Sequence, residues 1–111
     1  MRALVDANVF VSFWVFDVLM SLADAGLVEL RWSEAIESEY LRACESLGRG
    51  VVARRLLDAA NRAYPDARVG EWEQGIERVE LPDADDRHVV AAAIAGDCDF
   101  IVTYNLRDFP V

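Results

Sequence analysis

The chain contains no lysine: all 11 of its basic residues are arginine, set against 20 Asp and Glu, for a formal net charge of −9. That balance argues against generic duplex-DNA binding, which needs basic surface to neutralise phosphates. It leaves open chemistry in which clustered carboxylates hold a cation. Arginine without lysine, beside abundant Ala, Val and Gly, suggests a GC-rich bacterial genome. No apolar run reaches the roughly 18 residues a membrane span needs, because Asp, Arg or Gly interrupts each one. The two cysteines, Cys44 and Cys98, form no CxxC and no zinc-type spacing. Two buried thiols in a reducing compartment are therefore expected rather than a disulfide. The opening "MRALVDANVF" reads as a strand with an acid inside it, not as a secretory leader. These features together predict a cytoplasmic protein without a membrane partner. There is no repeat and no low-complexity linker, and 111 residues, 54% of them apolar, predict one domain over 1–111 with a real core.

Strand and helix patterns alternate along the chain. "RALVDANVF" reads as strand one. "FDVLMSLADAG" has apolar residues at helical spacing, with Gly26 placed to stop it. "LVELRW" is a second strand. Ser33 caps a helix that runs to about Leu47. "VVARRLLDAANRAY" is an amphipathic helix ended by Pro65. "RVEL" is a candidate third strand. Pro82 leads into a helix over about 83–96, and "DFIVTYN" is a last strand. The pattern predicts an α/β fold, a small parallel β-sheet flanked by helices. Such sheets place their sites at the carboxyl ends of the strands.

That rule selects acids. Asp6 falls late in strand one, where an unpaired carboxylate would cost several kcal/mol. It needs a cation, a basic partner or hydrogen bonds. The stretch "PDADD" at 82–86 packs three carboxylates at a helix start. On a helical wheel Asp86 lies about 40° from Val90 and about 20° from Ala93, on the stripe expected to face the sheet, with His88 nearly opposite. Asp83 is read as the helix cap and Asp85 as water-facing. On the preceding capped helix the expected stripe is Ile36, Tyr40, Ala43 and Leu47. Glu39 lies at its edge, whereas Glu34, Glu37 and Glu45 fall on the far side, where a solvated face is expected. Asn105 and Asp108 come just after the last strand. Asp and Glu without His or Cys are a donor set for hard divalent cations, Mg2+ or Mn2+.

"LVDANVF" at 4–10, an inward Glu39, and "DADDRHVVAAAIAGDCDFIVTYNLRDFP" at 83–110 together resemble the PIN-domain ribonucleases, in particular the VapC-like bacterial toxin branch. The likeness covers nearly the whole chain. It implies a small parallel sheet under helices and Mg2+- or Mn2+-dependent hydrolysis of RNA. By position it assigns Asp6, Glu39, Asp86 and Asp108 as catalytic metal ligands. Asn105 is a polar helper, and Asn8 either touches the site or serves a turn. The partners it implies are an RNA substrate, an antitoxin protein and a second copy of the chain in a homodimer. Members of that branch continue past "DFP" with a final strand and helix. A chain stopping at Val111 is thus expected to leave a sheet edge uncovered, which invites pairing. The region 42–68 holds six Arg against three acids, and its Arg residues either contact phosphate or form solvated helix faces. Tyr104 and Trp72 are candidates for base stacking.

Rival folds fail on particular residues. A receiver domain needs a late-strand Lys, which is lacking. A haloacid-dehalogenase-type phosphatase needs Asp-x-Asp after strand one, which "DAN" breaks. A dinucleotide-binding domain needs a glycine-rich first turn, and 6–9 has none. The remaining alternative is a PIN-like module that binds a protein without catalysis.

Overall fold

The computed structural model describes residues 1–70, 72–73 and 84–103, and for 84–86 the backbone alone. Strands β1 (Arg2–Val5), β2 (Glu29–Arg31) and β3 (Phe100–Val102) form a parallel sheet in the order β2-β1-β3. Helices α1 (Ala7–Val11), α2 (Phe13–Asp24), α3 (Glu34–Ser46), α4 (Gly50–Ala63) and α5 (Ala84–Ala95) make the connections. This is the expected small parallel sheet flanked by helices. The central strand takes the most apolar segment: Ala3, Leu4 and Val5 are all fully buried. A parallel strand covered on both faces should read that way. Among the described residues, no helix is long and apolar enough to cross a membrane.

Strand one is shorter than its apolar run predicts. It ends at Val5, and Asp6 is the N-cap of α1 rather than a strand residue. The carboxylate accepts a hydrogen bond from the Ala7 amide at 2.8 Å, and the Asp6 carbonyl accepts one from Val9 N–H at 3.1 Å. These local bonds offer the backbone an alternative to the ladder. The apolar residues that follow still serve the core, because Ala7, Val9 and Phe10 are buried on α1. The Phe10 ring lies 4.3 Å from Phe16, 5.2 Å from Trp32 and 5.4 Å from Tyr40, centroid to centroid. This aromatic group ties α1, α2 and α3 to the end of β2.

Gly26 stops α2 as expected. At φ 77° it takes the left-handed conformation, and the Leu27 amide reaches back to the Leu22 carbonyl at 3.0 Å, as in a Schellman motif. The candidate strand "RVEL" lies outside the described residues. Instead, residues 67–69 cover the end of the β2 edge. Trp32 N–H donates to the Ala67 carbonyl at 2.9 Å, and Val69 N–H donates to the Trp32 carbonyl at 2.7 Å. Both cysteines are free thiols; Cys44 is buried, and Cys98 is half-buried rather than fully so.

Ser33 caps α3 as its sequence predicts, its hydroxyl accepting from Ile36 N–H at 3.2 Å in a fully buried setting. Ser33→Ala leaves that amide without a partner and should cost about 1–2 kcal/mol. The loss is read as a lower midpoint in thermal or urea unfolding. The inward face of α3 is rotated from the expected stripe. Its buried residues are Ile36, Glu37, Tyr40 and Cys44, while Leu47 is exposed. Glu37, expected in water, is 6% exposed. Its Oε2 accepts from Trp32 Nε1 at 3.0 Å and Asn61 Nδ2 at 2.7 Å, and its Oε1 lies 2.8 Å from Arg68. Partners from three other parts of the chain hold it inward.

Candidate active site

The strand register builds one side of the site. Val5 pairs with Val102, and Asp6 N–H continues the ladder to the Val102 carbonyl at 3.0 Å. The next residues on the two strands, Asp6 and Thr103, therefore stand side by side at the carboxyl end of the sheet. Thr103 Oγ1 donates to Asp6 Oδ2 at 3.0 Å, while Ala7 N–H donates to Oδ1. Asp6 is only 8% exposed. Burial pushes its carboxyl above the usual carboxylate range. The Ala7 and Thr103 hydrogen bonds oppose that rise, the nearby Glu39 charge adds to it, and His88 opposes it.

Helices α3 and α5 build the other side. Glu39 is half-buried on the second turn of α3, and its Oε1 lies 2.6 Å from His88 Nε2. His88 is 6% exposed, and its ring lies 5.8 Å from that of Trp72. Its other nitrogen, Nδ1, is buried without a hydrogen-bond partner among the described residues. This corrects the expected face of α5 in part. Ala93 of the expected stripe is buried, but so are His88, Val89, Ala91 and Ala92, whereas Val90 is only half-buried, so the inward face extends round to the histidine.

Of the expected site residues, Glu39 lies near enough for its charge to bear on Asp6. Asn8 is half-buried in the first turn of α1. Asp86 lies in the first turn of α5, its side chain outside the described part. Asn105, Asp108 and Tyr104 lie outside the described residues. Sequence reasoning missed Thr103 and His88. Thr103 was recoverable from register alone, as the residue that follows β3. For His88 the apolar run on every side of α5 hides the inward face.

Asp6 and Glu39 offer hard oxygen donors, and their mutual repulsion on a partly dehydrated site is what a divalent cation would relieve. At these two positions the residues fit such an ion. Among the described residues no group of three or more His, Cys, Asp or Glu is arranged to hold one. Two of the four expected ligand side chains stand outside that set.

The Arg-rich segment divides. Arg68 is engaged with Glu37 and Glu34, and the Arg49 guanidinium sits 5.8 Å from the Phe13 ring centroid. Arg42, Arg54, Arg55 and Arg62 are exposed. Trp72, a stacking candidate from the sequence, is half-buried beside His88.

A family model described as PIN domain matches residues 2–107. No curated protein and no solved structure matches the chain.

Proposed function

Because the chain belongs to the PIN-domain family, we propose that it is a metal-dependent endoribonuclease that hydrolyses RNA phosphodiester bonds with Mg2+ or Mn2+. PIN domains are generally nucleases, and PIN nucleases typically use divalent metals. The observation that supports this reading for the present chain is the buried Asp6 carboxylate, held by Ala7 N–H and Thr103 Oγ1 at the carboxyl end of a parallel sheet, the place where such sheets carry their sites, with the Glu39 charge near enough to bear on it.

In this reading residues 1–111 are one domain, and Asp6, Glu39, Asp86 and Asp108 are the ligands. When bound, the cation supplies activated water near neutral pH and offsets charge on the phosphoryl oxygens. The protein does the rest. Ala7 N–H and Thr103 Oγ1 hold the Asp6 carboxylate in one orientation. Glu39 or Asp108 orients the attacking water, with Asn8 and Asn105 as polar helpers. Exposed Arg side chains of α4 contact the RNA phosphates, and Trp72 and Tyr104 are the stacking surfaces. Within the family we place the chain in the VapC-like toxin branch, with an antitoxin protein and a second copy of itself as partners.

The test is incubation of the chain with single-stranded RNA in Mn2+, in Mg2+ and in chelator. Cleavage is expected only with cation, and Asp86→Asn should lower it sharply. The same cations should raise the thermal midpoint, since a ligand at 100 times its Kd stabilises the folded state by about 2.7 kcal/mol. Absence of both cleavage and midpoint shift would overturn the reading.

A further inference from the structure

We infer that His88 is the positioning residue for Glu39, and that this one hydrogen bond sets how well the site takes up a divalent cation. The inference rests on the metal-dependent reading above.

Glu39 projects from a helix on a long side chain and is only half-buried. Left alone, such a side chain samples several rotamers, and ordering it on a cation costs conformational entropy. His88 removes that freedom in advance. The contact between Nε2 and Oε1, 2.6 Å, lies at the short end for a nitrogen donor on a carboxylate. The imidazole is itself enclosed: it is 6% exposed, with the Trp72 ring 5.8 Å away and the buried Val89 and Ala92 on the same helix.

The second nitrogen identifies which atom carries the hydrogen. Nδ1 is buried without a partner among the described residues. A hydrogen there would be a dehydrated donor with no acceptor, the more costly arrangement. The tautomer that fits carries its hydrogen on Nε2 and gives it to Glu39. A histidine that served packing alone has no need of a carboxylate on another helix, and the bond from Nε2 to Glu39 joins α5 to α3 at the site. That hydrogen bond on Oε1 fixes the direction in which the Glu39 carboxylate is presented to a cation. The Glu39 and His88 charges both bear on Asp6. Partners of this kind, one step removed from the ion, typically change metal affinity by about 10–100-fold when removed.

His88 is the only histidine in the chain, so its imidazole resonances need no assignment. Three measurements test the inference. In metal-free protein, Glu39→Gln should shift the Nε2 resonance; an unchanged signal overturns the contact. In Mn2+ titrations followed by thermal midpoint, His88→Leu should weaken binding about 10–100-fold. His88→Gln, which keeps an N–H near the Nε2 position, should stay within a few-fold of wild type. Equal affinity in wild type and a folded His88→Leu overturns the inference while the metal reading stands. If His88→Leu does not fold, the wild-type imidazole decides: saturating Mg2+ should move its resonances, and a signal that stays put overturns the positioning role. Wild type that takes up no Mn2+ at all, with a Glu39→Gln shift still present, overturns the metal reading and this inference with it.

Discussion

Asp6→Asn is expected to lower cation-dependent RNA cleavage by at least about 10²-fold while leaving the fold intact. Groups that merely orient a ligand are worth about 10–100-fold, and a ligand itself stands at or above the top of that range. Asparagine is nearly isosteric. Its Oδ1 can keep the Ala7 N–H bond, and the Thr103 hydroxyl can rotate from donor to acceptor for the new amide. The substitution also removes a buried charge beside Glu39. Without metal, the variant should therefore unfold at the same temperature as wild type or a few degrees higher.

A pH series sharpens this prediction. Burial raises the folded-state Asp6 pKa above its unfolded value of about 3.9. Between those two values the folded state binds more protons than the unfolded state. The stability that Asp6 contributes is thus greatest at low pH and is lost as pH rises through the folded pKa. In chelator, any advantage of Asp6→Asn over wild type should be largest near neutrality and should shrink on acidification. An advantage that grows on acidification would show that Asp6 is not a buried, strained carboxylate.

Glu37→Ala should be among the most damaging substitutions outside the site. It strips the acceptor from the buried Trp32 indole N–H and from Asn61, and among the described residues leaves Arg68 its longer contact to Glu34 at 3.6 Å. Leaving the Trp32 and Asn61 donors unpaired costs about 1–3 kcal/mol each, while the exposed Arg68 can return to water, and the sum is a large share of the roughly 5–15 kcal/mol that holds a small domain folded. The thermal midpoint should fall by on the order of 10–15 °C. Glu37→Gln, which keeps one acceptor oxygen, should lose clearly less. If Glu37→Ala unfolds within a degree or two of wild type, the Trp32–Glu37–Asn61–Arg68 cluster does not hold α3 to α4 and the β2 end.

Glu37 also marks where sequence reasoning reaches its limit. A helical wheel ranks positions by the apolar residues around them, and by that criterion a glutamate between Glu34 and Glu39 belongs in water. Its burial depends on an indole at 32, an amide at 61 and a guanidinium at 68, residues that the wheel of α3 does not contain. The same limit applies to His88. Residues 89–95 are all apolar, so the pattern has no direction, and only packing against Glu39 and Trp72 identifies the inner side.

Other features were legible because their causes are local. Ser33 caps α3 because a hydroxyl in an extended residue can reach the third amide of the turn that follows it. Gly26 ends α2 because a left-handed residue is needed there. The parallel α/β class follows from strands that alternate with helices. Asp6 stands between the two kinds of cause. Its type and its nearness to the strand end were readable, while its role as an N-cap was not, because the apolar run continues unbroken across the change from strand to helix.

The sequence by itself determined the parallel sheet with its helices, the family and the candidate acids Asp6 and Glu39, since these rest on residue type, short-range spacing and motif. Only the tertiary structure decided which acids are buried and what holds them: Thr103 on Asp6 through the β1–β3 register, His88 on Glu39 across two helices, and Arg68 on Glu37. Each of these three contacts spans 31 to 97 residues of chain, and no local pattern records where such partners will lie.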